Sequence, residues 1–226
     1  MPAGLAKPWM RGPAEAYARG AVSSPGPEEP PRPPKRFGYY ARLSAAHKAI
    51  YRRSDEAPTP ALPDAAAIRP IVVALAEALG EGKRVRVSKV AQAVADVVCG
   101  QLGAPEVKVR VREVRPQIDG GELHGLYTWA NDGRTPLLEV WMRTGAREDV
   151  VKFRTFLRTF VHELVHHLDV TLLALPESFH TVGFFRRESG LVRQLLGEAA
   201  RVPRAARPPA PAAPAPVRRQ LSLFGD

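Results

Sequence analysis

Apolar residues recur along the middle of this chain with two periods, one helical and one of alternation, and lose all period towards both ends. From Asp64, an N-cap residue, "AAAIRPIVVALAEALG" has helical spacing. Pro70 suits that helix only in or near its first turn, because it has no N–H to give. Ser88 is expected to cap a second helix, "KVAQAVADVVCGQLG", with Gly100 and Gly103 as stop signals. Residues 107–114 switch to alternation, with Val107, Val109 and Val111 set against Lys108, Arg110 and Arg112. That pattern predicts a strand with one apolar and one cationic face. A solvated sheet surface is the plainer account of those cations, and contact with DNA the sharper one.

"GLYTWA" (125–130) and "LLEVWMR" (137–143) flank "NDGRTP" and predict a hairpin turned by Asn131, Asp132 and Gly133, with Leu138, Val140 and Met142 on one face. Glu148 and Asp149 are expected to open a long helix whose stripe runs Val150, Phe153, Leu157, Phe160/Val161, Leu164 and Leu168. A last helix covers roughly Phe179 to Leu196. This order of elements predicts an α+β domain over 64–200, a small antiparallel sheet packed on helices, with no internal repeat.

The flanks are different in kind. Many of the 23 prolines lie in "PGPEEPPRPP" (25–34) and "PRAARPPAPAAPAP" (203–216), which predict solvated segments over 1–35 and 201–226. Residues 1–53 hold 10 Lys/Arg against 3 Asp/Glu, a net +7, and residues 201–226 hold 5 Arg against Asp226, a net +4. The stretch between, with 18 against 19, is nearly neutral. Cationic arms on a neutral body suit a protein held near a polyanion, most often nucleic acid, so DNA is the expected partner. Within 36–63, a basic helix and linker, Leu43, Ala46 and Ile50 share a face among Arg42, Lys48, Arg52 and Arg53. It could lie on a phosphate backbone or pack on the domain's edge.

One cysteine, Cys99, excludes an internal disulfide framework and a Cys-based zinc ribbon, and its apolar surroundings predict a small buried hydrophobe. The N-terminus has no apolar run of the secretory kind, and no segment has the roughly 18 apolar residues a membrane span requires. A cytoplasmic, nucleoid-associated protein with no membrane partner is the expectation.

"HELVHH" (162–167), on the long helix, carries chemistry. It contains His-Glu-x-x-His: His162, Glu163 and His166. Four residues make a little over one helical turn, so both imidazoles project from one face and can share a metal. Zinc suits neutral imidazoles and acidifies water at its open position. Glu163 can take a proton from that water and later pass it to a leaving amine. A third ligand is needed, and HExxHxxGxxH is excluded because Asp169 and Leu172 occupy its Gly and last His positions. His180 is the candidate, with Glu177 and Glu188 as rival carboxylates. His167 points about 100° away round the helix, which predicts a solvated or capping role. Asp169 reads as a surface ion pair before it reads as a partner that orients His166. Tyr127 and Trp129 either line the cleft or pack. If the hairpin edge borders the metal, an extended substrate could add to it as a strand.

With those residues in view, the sequence resembles the SprT/Spartan family of zinc metalloproteases. "HELVH" followed by "HTVGF", with Phe184 four residues after His180, carries the resemblance, which spans about 125–195. Two features depart from the family pattern: Thr181 directly follows His180 where Gly is usual, and the Cys-rich zinc ribbon of many relatives is absent. The resemblance implies His162, His166 and His180 as zinc ligands, Glu163 as the catalytic residue, and cleavage of proteins bound or crosslinked to DNA. Two other functions stand beside it. One is the same peptidase directed at a single regulatory protein; the other is a non-catalytic adaptor of DNA and a replication protein. A purely structural zinc site would have no use for Glu163.

The tail ends in "QLSLFGD". "QLSLF" resembles the peptide by which bacterial replication and repair proteins dock on the sliding clamp, matching at Gln220, Leu221, Leu223 and Phe224, with Ser222 in the variable place. Leu and Phe can enter an apolar pocket while Gln220 hydrogen-bonds at its rim. Residues 203–219, if extended, would give a tether of about 50 Å. The bland alternatives are that these side chains pack back on the domain or mark the chain for degradation.

Overall fold

The computed structural model describes residues 36–118, 121–129 and 133–198. A 3-10 turn (Gly38–Arg42) precedes α1 (Ala45–Glu56), α2 (Ala65–Gly80) and α3 (Arg84–Leu102). Strand β1 (Lys108–Val114), the short pair β2 (Gln117–Ile118) and β3 (Gly121–Glu122), β4 (Gly125–Thr128) and β5 (Leu137–Arg143) follow, then α4 (Phe153–Thr171) and α5 (Val182–Leu196). The α+β class is as expected.

The sheet corrects the expectation of antiparallel strands. Its order is β1-β5-β4, with β5 parallel to β1 and antiparallel to β4. A simple meander would put β4 between its neighbours in sequence. Here the β2–β3 pair carries the chain past that place, and β5 inserts between β1 and β4. The register aligns Val109 with Leu138 and Val111 with Val140, so one face is continuously aliphatic and buried against the helices. On the other face Arg110 and Arg112 both reach Glu139, so these cations are partly neutralised across the sheet. That agrees with a solvated face.

Three helix starts are displaced from the expected ones, α5 the least: it begins at Val182 and not at Phe179, with Thr181 as its N-cap. α3 begins at Arg84, ahead of Ser88, because Val87 is already fully buried in phase with Ala91, Val94 and Val98. Gly82, at φ 68°, turns the chain sharply enough after α2 for this. Gly103, also left-handed, ends the helix as expected, while Gly100 lies inside it. α4 begins at Phe153 and not at Glu148, whose φ of 55° is incompatible with a helix. Residues 144–151 instead return along the sheet: Val151 N–H donates to the Met142 carbonyl and Val150 bridges Arg143. Pro70 is the sixth residue of α2, past its first turn; having no N–H, it cannot donate to the carbonyl of Ala66, an exposed residue.

α1 packs on the body. Tyr51 and Ser54 are fully buried, and Gly183 of α5 approaches the Ser54 carbonyl so closely that a Cβ there would clash. The folded body therefore includes α1, ahead of Asp64. Cys99 is buried and free, and burial pushes its thiol up to about 12, so it behaves as a small hydrophobe. Among the described residues no helix is long and apolar enough to cross a membrane. The segments 1–35 and 201–226, with Gln220, Leu221, Leu223 and Phe224, lie outside the described residues, as do Asn131 and Asp132.

Candidate metal centre

α4 is amphipathic, with Phe156, Leu157, Phe160, Leu164 and Leu168 in the core, and this phase turns His162 and His166 together towards a cleft. His180 comes from the connection between α4 and α5. Its Nε2 lies 3.0 Å from His162 Nε2 and 3.1 Å from His166 Nε2, and the three nitrogens fall within 4.8 Å of one another. Phe184, fully buried, sits beneath all three imidazoles with ring centroids 4.6 to 5.1 Å away.

The loop that carries His180 is held by the chain's first described elements. Tyr39 donates its hydroxyl proton to the His180 carbonyl at 2.8 Å. Thr181 caps α5 by accepting from Phe184 N–H, and its hydroxyl meets that of Ser54. Phe179 packs against Tyr51 and His47.

Each helical histidine has a partner on its far nitrogen. His162 Nδ1 is 2.9 Å from Glu188 Oε2, and Glu188 also pairs with Arg158. His166 Nδ1 is 2.8 Å from Ser178 Oγ, which donates to Asp169 Oδ2. Arg187 grips both oxygens of Asp169, and its other N–H groups reach the Ser54 carbonyl and hydroxyl. Burial, with His162 and His180 nearby, pushes His166 down to about 3 and also lowers His180, so their imidazoles are neutral. Three imidazoles presenting Nε2, two of them fixed through Nδ1, are the donor set a divalent transition metal takes. These three histidines could hold a metal ion.

Glu163, on the same turn, is 7% exposed. Burial pushes its carboxyl up to about 7, against the pull of His162 and a hydrogen bond with the Tyr127 backbone. β4 crosses directly over it, so closely that a Cβ at position 125 would force the Glu163 side chain to move. Glu163 and the three histidines line one open cleft of about 1150 Å³, with Tyr127 and Trp129 on its β4 side. Comparison with known proteins returns no match: no family model, no curated protein and no solved structure. Geometry and chemistry alone carry the reading of the site.

Other candidates fall elsewhere. His167 is not solvated. It is fully buried, with Nδ1 3.2 Å from Tyr127 Oη and Nε2 2.8 Å from the Pro105 carbonyl, so it ties α4 to β4 and to the start of the sheet. Asp169 is no surface pair either, being fully buried and linked to His166 through Ser178. Glu177 points away to His47, whereas Glu188 supports a ligand. Sequence reasoning missed Ser178, Tyr39, Arg187 and Gly125. Ser178 stands two residues before His180 in a loop without periodicity, and nothing in the sequence ties Tyr39 to that loop.

Proposed function

We propose that the protein is a zinc-dependent endopeptidase acting on proteins bound or crosslinked to DNA. The observation that carries the peptidase reading is the convergence of three imidazole nitrogens beside a buried carboxyl, Glu163, in one open cleft. His162, His166 and His180 would hold the zinc, which when bound supplies a Lewis acid for a peptide carbonyl and for water. Glu163 takes the proton of the attacking water and passes it to the nitrogen of the leaving peptide, a role that suits a carboxyl lifted towards neutrality. β4 is an edge strand of the three-stranded sheet and lines the cleft, so an extended substrate can add to it through backbone hydrogen bonds. That mode accepts many sequences. The resemblance to SprT/Spartan proteins and the cationic flanks favour substrates at DNA, and the clamp-like tail favours recruitment to replicating DNA.

The test compares wild type with Glu163→Gln on a protein crosslinked to DNA and on the same protein without DNA. Zinc is expected in both proteins, and cleavage falls by about 10²- to 10⁴-fold in the variant. An active Glu163→Gln protein removes Glu163 from catalysis; wild type without zinc, unrecovered on zinc addition, removes the metal. Cleavage indifferent to DNA shifts the proposal to a regulatory substrate. For the tail, Leu223→Ala with Phe224→Ala is expected to abolish retention on immobilised bacterial sliding clamp, and unchanged retention removes the clamp from the proposal.

A further inference from the structure

Proton positions behind His166 can be counted. Asp169 accepts at both oxygens: Arg187 Nε donates to Oδ1 at 2.9 Å, and Arg187 Nη2 and Ser178 Oγ donate to Oδ2 at 2.8 and 2.9 Å. Burial pulls the Asp169 carboxyl upward, but a guanidinium donating to both of its oxygens is the geometry of a carboxylate paired with a cation, and it holds Asp169 ionised, an acceptor only. The single hydroxyl proton of Ser178 is therefore committed to Asp169. What Ser178 turns towards His166 Nδ1, 2.8 Å away, is a lone pair, and only an N–H on Nδ1 can complete that contact. A neutral imidazole carries one proton, so Nε2 of His166 is bare.

We propose that Ser178 is a positioning residue that fixes the tautomer of His166, placing the proton on Nδ1 and leaving the Nε2 lone pair for the metal. The proposal rests on the metal-centre reading above. Glu188 plays the matching part for His162, whose Nδ1 faces a carboxylate. Both helical histidines then turn bare Nε2 atoms towards His180 Nε2, at 3.0 and 3.1 Å. His180 has at most one proton there and can satisfy only one of the two contacts. A cation that accepts all three lone pairs satisfies every one. Arg187 closes the arrangement: it orients Asp169 while its remaining N–H groups go to Ser54 of α1, so the tautomer of a ligand on α4 is set by a chain of bonds that reaches α1.

Two-bond ¹H–¹⁵N correlation spectra of the metal-free full-length protein read the proton position directly. Wild type is expected to show His166 protonated at Nδ1 and bare at Nε2. Ser178→Ala is expected to lose that preference and to bind zinc about 10- to 100-fold more weakly in competition with a chelator, at an unfolding midpoint close to wild type. Ser178→Thr, which keeps the hydroxyl, is expected to restore both. A wild-type His166 protonated at Nε2 overturns the proposal. So does Ser178→Ala with wild-type spectra, or with zinc affinity within twofold of wild type. A wild type that binds no zinc refutes the metal-centre reading, and the nitrogen spectra still decide the tautomer.

Discussion

His162 and His166 stand four residues apart on one helix, yet what lies behind them differs. Behind His166 are Ser178, Asp169 and Arg187, and the charged pair is sealed, with Asp169 0% and Arg187 1% exposed. Behind His162 is Glu188, 2% exposed, whose partner Arg158 has a side chain 61% exposed. One ligand is anchored to charges that water cannot reach, the other to a charge that water shares. An ion pair in the interior must be complete, because either member left alone keeps its full desolvation cost; near water the loss is screened. The same helical spacing has therefore produced one ligand bound up with folding and one bound up mainly with the metal.

The largest effect tests that contrast. Asp169→Ala leaves Arg187 buried without its partner and is expected to lower stability by about 3–5 kcal/mol, read as a shift in the denaturant midpoint. Glu188→Ala leaves Arg158 in water and His162 Nδ1 beside an open cleft, and is expected to cost about 1–2 kcal/mol. Its signature is instead a zinc affinity about 10- to 100-fold weaker with the fold retained. Equal losses of stability in the two variants would break the comparison.

The two halves of the site were also unequally legible. The helical ligands and Glu163 follow from a local rule: His-Glu-x-x-His in an apolar stripe can only place both imidazoles on one side. His180 is marked in the sequence only by its loop context, and its closure onto the others depends on contacts more than 120 positions away in the chain, such as Tyr39 to His180 and Ser54 to Thr181. Periodicity cannot see such contacts. It also misjudged His167 and Asp169, whose polarity suggested solvent, because a buried polar residue is betrayed only by its partners: Pro105 and Tyr127 for one, Arg187 and Ser178 for the other. The parallel pairing of β1 with β5 escaped for the same reason. Alternating valines predict a strand and its buried face, not its neighbour.

The smallest effect belongs to His180, which has neither a helix nor a charged pair to fix it. Its carbonyl accepts the Tyr39 hydroxyl at 2.8 Å. Burial, with Tyr51 and Asp55 nearby, pushes that phenol up to about 12, so it remains a donor throughout the neutral range. Tyr39→Phe removes the bond while its ring can still stack on Phe37 and meet Tyr51 edge-on. A neutral hydrogen bond contributes about 0.5–1.5 kcal/mol net, so zinc affinity is expected to fall by about two- to tenfold in chelator competition. A loss as large as that of Glu188→Ala would make the 3-10 turn a stronger determinant of the metal centre than the carboxylate behind His162. No loss would mean that Phe179, lodged between Tyr51 and His47, positions the loop without help from Tyr39.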